Sequence, residues 1–283
     1  MGIPCIEVAQ YAGVCYGVER ALTLAKEAGS TATGPVCTMG PLIHNPIVVH
    51  ELEQSGVSVA NSVEDCVEGA VIIRAHGVVP QVIDELQNKG LQIIDATCPF
   101  VKKVHVAAER LEREGYQLLV VGESGHPEVE GIMGHAGMDA HIVSSPEDLH
   151  ELELGRKVGI VVQTTQTADT LNAVVASVLP RVSELRVVNT ICTATQERQA
   201  SAAELASRAD VMIVVGGKNS GNTQRLAQIC SERCSRTYHI EQACELDPSW
   251  LEDTQLIGVT AGASTPAAHI EQVVEALRNA SKA

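Results

Sequence analysis

Three cysteines, Cys15, Cys98 and Cys192, sit in short turns where an apolar run gives way to a helical pattern, within GVCYGVERA, DATCPFVKKV and NTICTATQERQ. Each is followed by the same series of parts: a helix, an apolar stretch closing in a polar turn, then a second stretch and turn. The paired turns are GPLIHNP and RAHG after Cys15, GESGHPEVEG and QTTQT after Cys98, and GGKNSGNT and AGAST after Cys192. The first offsets agree: 29 residues from Cys15 to His44, 28 from Cys98 to His126 and 28 from Cys192 to Ser220. The second, to His76, Thr164 and Ser264, diverge as surface insertions would make them. A threefold repeat with one thiol and two polar turns per unit implies three lobes facing a shared centre. That centre would hold three thiolates and a polar pocket.

Separations of 83 and 94 residues between the three cysteines leave no Cys-x-x-Cys pair among them, the usual mark of a zinc site. Lone thiolates from three lobes suit a 4Fe-4S cube, which is large enough to be gripped at separate corners and, with three protein ligands, keeps one iron open as a Lewis acid. Helix N-termini lower thiol pKa and favour the thiolate. Any single cysteine of this kind reads more naturally as a small buried residue; three at equivalent positions do not. Of the other six, Cys5, Cys37 and Cys66 read as core or partly exposed thiols. Cys230 and Cys234, at i, i+4 on an expected helix, could join Cys244 and His239 in a zinc site, but no further ligand presents itself.

His44, His76 and His126 lie in turns rich in Gly, Pro or Asn and, with the Ser, Thr and Asn residues of the other turns, form a set of neutral donors for an anion. In HPEVEG, Pro127 is expected to keep the chain extended, so that His126 and Glu128 project to one side. A carboxyl group beside a buried anion site should have a raised pKa and could deliver a proton; the plainer reading is a carboxylate capping the start of a helix. GGKNSGNT and AGAST look like phosphate-cradling turns. Neither GxxxxGK[ST] nor a helix-opening GxGxxG occurs, against Walker-type and dinucleotide folds.

These residues need a scaffold that ends many strands at one place. Candidate strands are 70–74, 91–95, 116–122, 157–163, 185–189, 210–216 and 255–260, and between them lie patterns such as VKKVHVAAERLEREG and QERQASAAELASRA, with apolar residues at helical spacing. Strands apolar on both faces and separated by helices imply an α/β fold with parallel sheets. Ligands of such sheets bind beyond the carboxyl ends of the strands, where every turn named above is expected. The 283 residues are 45% hydrophobic yet hold only six aromatic residues, so the core is aliphatic; a net charge of −15 and the scarcity of rings argue against nucleic-acid binding. The N-terminus lacks a basic, apolar leader, and no stretch approaches the roughly 20 apolar residues of a membrane span, so a cytoplasmic location is expected, with thiols rather than disulfides.

Taken in order, GVCYGVERA, GPLIHNP, RAHG, DATCP, HPEVEG, QTT, TICTATQERQ, GGKNSGNT and AGAST resemble the 4-hydroxy-3-methylbut-2-enyl diphosphate reductase family (LytB), iron-sulfur enzymes of the last step of the non-mevalonate isoprenoid route. The resemblance spans nearly the whole chain. It implies a three-lobed α/β trefoil of small, mostly parallel sheets around a central cluster: lobe 1 over residues 1–97, lobe 2 over 98–191, lobe 3 over 192–264, with the C-terminal helix 265–283 packing on lobe 1. It also implies one [4Fe-4S] cluster on Cys15, Cys98 and Cys192 with one open iron. His44, His76, His126, Thr164, Ser220, Gly221, Asn222 and Ser264 become substrate-binding groups, Glu128 the proton donor, and Thr164 a second catalytic residue orienting the substrate hydroxyl. The implied partners are an allylic diphosphate and a ferredoxin or flavodoxin electron donor, with no nucleic acid and no membrane. Two positions depart from the family pattern: Val14 stands where Phe is frequent, and Gly221 replaces a second serine of the phosphate turn. The competing readings are a 4Fe-4S hydro-lyase or dehydratase acting on a small anion, and a non-catalytic iron-sulfur sensor.

Overall fold

Short Val- and Ile-rich runs become strands because their branched side chains suit a pleated surface covered on both faces, and the Ala-, Glu- and Leu-rich stretches between them form the covering helices. The computed structural model describes residues 4–281. The first third holds β1 (Cys5–Val8), α1 (Tyr16–Thr31), β2 (Val36–Met39), α2 (Pro46–Gln54), β3 (Val57–Ala60), β4 (Ala70–Ile73), α3 (Pro80–Asn88) and β5 (Gln92–Asp95). The middle holds α4 (Pro99–Arg113), β6 (Gln117–Val121), α5 (Pro127–Gly134), β7 (His141–Val143), β8 (Lys157–Val162), α6 (Ala168–Val178) and β9 (Glu184–Val187). The last third holds α7 (Thr193–Ala206), β10 (Val211–Val215), α8 (Gly221–Ser231), β11 (Thr237–Ile240), β12 (Leu256–Ala261) and α9 (Ala267–Ala280).

The strands form three four-stranded sheets, ordered β3-β2-β4-β5, β7-β6-β8-β9 and β11-β10-β12-β1. Every strand pairing among the described residues is parallel. The expected α/β class with three small parallel sheets is therefore observed. Each sheet repeats one plan. The strand before the first polar turn (β2, β6, β10) and the strand before the second (β4, β8, β12) form the centre, and the strand leading to a cysteine (β5, β9, β1) closes one edge. The chain order is thus offset in the third sheet, where β1 pairs with β12 from Cys5 opposite Leu256 to Val8 opposite Val259. Residues 1–97 accordingly serve two sheets, and α9 packs through Ile270, Val273 and Leu277 on the sheet built from β10, β12 and β1.

The chain divides into two compact units. One contains the β1 sheet, with residues up to Val18, His44–Val48 and the chain from Thr193 onward; the other, Glu19–Ile43 and Val49–Cys192, contains the remaining two sheets. Alternate residues of each central strand feed opposite cores. Val211, Ile213 and Val215 meet α9, whereas Met212 and Val214 meet Leu205 and Leu226 of α7 and α8. In the second unit Leu119, Ile160 and Val162 pack on α6, and Leu118, Val120 and Val161 pack on α4 and α5. Each such side chain contributes about 1.5–3 kcal/mol by leaving water. These cores hold the strand ends, and hence the turns, in place.

Candidate active site

Cys15 immediately precedes α1, Cys98 is the N-cap of α4 and Cys192 immediately precedes α7. All three are partly exposed and outside any disulfide. Their backbone N–H groups make the same bond in each repeat: Cys98 donates to Ala75 O at 2.9 Å, Cys192 to Thr164 O at 3.0 Å and Cys15 to Ala263 O at 3.2 Å. Each thiol turn is thereby tied to the second polar turn of its own sheet, beside His76, at Thr164 and beside Ser264. Two of the turns are also pre-shaped by an Asx bond, Asp95 Oδ1 accepting Thr97 N–H at 2.9 Å and Asn189 Oδ1 accepting Ile191 N–H at 3.1 Å. At the third, Gly13 takes φ +93°, and Arg198 donates to its carbonyl at 2.7 Å.

As a donor set, three partly exposed thiols, each at the start of a helix, fit an iron-sulfur cluster, which cysteine sulfur holds. Among the described residues no three His, Cys, Asp or Glu side chains gather as they would around a single metal ion. Ligands to different irons of one cube stand further apart than that.

The carboxyl group of the site lies in the larger unit. Glu128 is 2% exposed. Its Oε1 accepts Thr164 N–H at 2.6 Å and its Oε2 accepts the Thr164 hydroxyl at 2.8 Å. Burial pushes the Glu128 carboxyl up to about 7, against the opposing pull of the two Thr164 bonds. The expected extended His126–Glu128 pair is corrected here. Pro127 opens α5 as its first residue, where its fixed φ and missing N–H are tolerated, so Glu128 lies in a helical first turn while His126 is the N-cap. Glu128 does not cap the helix; His126 does, its Nδ1 accepting Glu128 N–H at 3.1 Å. That bond requires an unprotonated Nδ1 and leaves the ring hydrogen on Nε2. Burial, with Arg74 nearby, holds His126 down at about 4, so the ring is a neutral donor. The His76 ring meets it edge-on, with centroids 5.7 Å apart.

Two residues to which the sequence motifs gave no role support this face. Arg74 Nε donates to Gly77 O at 3.2 Å, closing the RAHG turn. Gln163 Oε1 accepts Glu123 N–H at 2.9 Å, fastening the loop ahead of His126. Gly77 sits at φ +74°, and a Cβ there would lie 2.8 Å from the His105 ring. His105 itself is stacked on His135 and belongs to the packing.

In the smaller unit the Ser264 hydroxyl donates to His44 O at 3.1 Å, and Asn45 Nδ2 donates to Ser264 O at 2.8 Å. Asn45 Oδ1 also accepts Ile47 N–H at 3.1 Å and Val48 N–H at 3.3 Å, capping α2. Asn immediately before Pro at a helix start was the available signal for this role. Asn45→Ala should lower stability by about 1–3 kcal/mol, measured by chemical denaturation, because it removes a cap and a buried bond together. Ser220 is the N-cap of α8 and accepts Thr223 N–H, and Gly221 and Asn222 form the buried first turn. Asn222 is 6% exposed, yet neither its Nδ2 nor its Oδ1 has a partner. A buried amide left unsatisfied costs about 1–3 kcal/mol, and Asn222 holds both a donor and an acceptor free at the start of α8. Asn222→Leu should therefore raise KM by roughly 10-fold or more while leaving the thermal midpoint equal or higher, as read by steady-state kinetics and a melt without substrate.

The remaining cysteines divide otherwise. Helix α8 ends at Ser231, so Cys234 is not on the helix with Cys230; both are buried in the core under α7 and α8. Cys244 is exposed, and His239 Nε2 is 2.9 Å from Gly216 O. The considered zinc site does not assemble. Among the described residues no helix is long and apolar enough to cross a membrane.

A sequence profile described as "LytB protein" matches residues 6–278. A Geobacter sulfurreducens protein named 4-hydroxy-3-methylbut-2-enyl diphosphate reductase is 48% identical over 273 residues, 96% of each chain. A Trichlorobacter lovleyi protein of the same name is 47% identical, covering 95% of this chain and 96% of its own. A solved structure titled as (E)-4-hydroxy-3-methyl-but-2-enyl diphosphate reductase, the terminal enzyme of the non-mevalonate pathway, is 46% identical with a TM-score of 0.73, covering 97% of this chain and 99% of that one. The E-1-hydroxy-2-methyl-but-2-enyl-4-diphosphate reductase of Plasmodium falciparum is 29% identical with a TM-score of 0.91, covering 97% and 88%. By this match along nearly its full length, the chain belongs to the LytB protein family.

Proposed function

We propose that the chain reduces 4-hydroxy-3-methylbut-2-enyl diphosphate to isopentenyl and dimethylallyl diphosphate, the last step of the non-mevalonate isoprenoid pathway. The observation that carries the reading, within the family membership, is Glu128: a buried carboxyl whose proton affinity is raised to about 7, fixed by the N–H and the hydroxyl of Thr164.

The reaction consumes two electrons and two protons and releases the hydroxyl as water. Cys15, Cys98 and Cys192 would ligate one [4Fe-4S] cluster, which when bound supplies the electrons and, at its open iron, a Lewis acid for the alcohol. Neutral donors bind the diphosphate: His44, His76 and His126, the Ser220–Asn222 turn at the start of α8, and Ser264. Asn222 brings its unsatisfied amide, and the His126 tautomer aims an Nε2–H. At Gly221 the backbone N–H substitutes for the missing serine hydroxyl. Thr164 orients the substrate alcohol while its N–H and hydroxyl hold the Glu128 carboxyl in one rotamer. Glu128 then gives its proton to the departing oxygen, a transfer for which a pKa near 7 is suited. A ferredoxin or flavodoxin is the proposed electron donor.

The test is anaerobic purification with iron and sulfide counts, followed by turnover of the hydroxylated diphosphate with and without a reductant. Reductant-dependent release of the two five-carbon diphosphates supports the reading. Conversion that needs no reductant would point to the hydro-lyase, and a loaded cluster without turnover to the sensor.

A further inference from the structure

Two thiols with no part in that chemistry face each other in the larger unit. Cys37 lies on β2, between Ser58 of β3 and Val71 of β4, and is partly exposed. Cys66 lies in the turn that follows β3 and is 1% exposed. Their sulfur atoms are 3.4 Å apart.

The contact is held from both sides. Asp65 Oδ2 accepts the N–H groups of Asn61 at 3.0 Å and Ser62 at 2.9 Å, winding the turn that carries Cys66. The Lys89 ammonium at the end of α3 donates to Val63 O at 2.7 Å and Cys66 O at 3.3 Å. Beneath lie Met39, Val63, Val71 and Leu86 of the same core. These bonds fix the backbone of the turn that carries Cys66, and strand pairing on both sides fixes that of Cys37, so the two sulfur atoms stay in contact, one bond-forming step short of the about 2.05 Å of an S–S bond.

We propose that Cys37 and Cys66 form a redox-modification site, a dithiol that a hydroperoxide closes into a disulfide linking β2 to the turn before β4. The sulfur of Cys37, the more exposed residue of the pair, attacks the peroxide oxygen as the thiolate; the O–O bond breaks, one water leaves and a sulfenic acid forms. The Cys66 sulfur then displaces the sulfenic oxygen as a second water. Two thiols are oxidised, one peroxide is reduced, and both thiol protons leave in the water. Burial and the neighbouring Cys66 push the Cys37 thiol up to about 12, so the pair rests as a dithiol and closes slowly, under oxidant in excess.

The sequence supplies a clean assay. No Lys or Arg lies between Lys26 and Arg74, so trypsin releases both cysteines on one peptide, 27–74, which contains no other cysteine. The anaerobically purified holoenzyme is treated with hydrogen peroxide, quenched with a maleimide under denaturing conditions and digested. The peptide should carry two labels before peroxide, none after it, with a mass about 2 Da below the dithiol, and two again when reductant precedes the label. Labels that persist at two, a loss that reductant does not restore, or linkage to another peptide would overturn the proposal. Cys66→Ala and Cys37→Ser should each abolish the unlabelled light peptide, and its survival in either variant would do the same. The readout is independent of turnover, so it stands apart from the proposed reduction.

Discussion

Glu128→Gln is expected to yield a folded protein that assembles its cluster and binds substrate but turns over at least ~100-fold more slowly. The carboxamide has the same shape. Its oxygen can still accept Thr164 N–H, and its NH2 can donate to the Thr164 hydroxyl once that group rotates, so the two bonds at 2.6 and 2.8 Å are replaced rather than lost. What disappears is the transferable proton. In the unsubstituted enzyme the rate should fall as pH rises through about 7, where Glu128 ionises, and this limb should be missing from the variant's residual activity. The same ionisation sets the sign of the stability effect. The folded pKa, about 7, lies above the ordinary glutamate value of 4.5, so between these the native state holds a proton that the unfolded chain has released, and stability falls as pH rises across that window. With the carboxylate fully ionised the penalty is about 3 kcal/mol. Glu128→Gln should accordingly be the more stable protein above pH 7, with the gap closing toward pH 5. Near-normal kcat in the variant would remove Glu128 from the reaction, and a pH-independent stability difference would contradict its raised pKa.

Replacement of Cys15, Cys98 or Cys192 by Ser should have the second large effect. Each thiol lies at a helix start and is partly exposed, so a hydroxyl is accommodated and the fold persists. Iron content of the anaerobically prepared protein should fall from about four to less than about one per chain, with activity falling with it. Cys230→Ser provides the contrast. Its thiol is buried among Ala202, Leu205, Met212 and Leu226, where burial holds it protonated, so this change should reduce stability while leaving iron unchanged. Full iron loading in any of the first three variants would refute that residue as a ligand.

The strands that are readable along the chain are those dense in β-branched residues. Residues 70–74, 157–163, 210–216 and 255–260 all become central strands because both faces are buried and no charged residue interrupts their interiors. The unread ones are mainly edges. In β1, β3, β7 and β11 one side of each strand is unpaired, and short segments such as CIEV and HIV mix polar with apolar residues. Among the described residues only β2 is both central and missed; it has just four residues, VCTM, too short a run to stand out from a helical pattern. At the site, residue identity was legible but local conformation was not. His126-Pro127-Glu128 can equally read as extended chain or as a helix start; in the fold His126 caps α5, and the Glu128 carboxyl accepts both donors of Thr164, 36 residues away. Asn222 could be named from its motif; that both ends of its amide lack partners is visible only in three dimensions.

Because β1 pairs with β12, the third sheet joins strands about 250 residues apart, whereas the other two sheets are each made from one continuous stretch. During synthesis those two can close as soon as their own segments emerge, but Cys5–Val8 must wait for nearly the whole polypeptide before its partner exists. The turn bearing Cys15, anchored through Ala263, is therefore the last of the three to be shaped. On the proposed ligand set, iron loading would then follow completion of the chain, and a ribosome-bound intermediate would present at most the Cys98 and Cys192 turns in finished form.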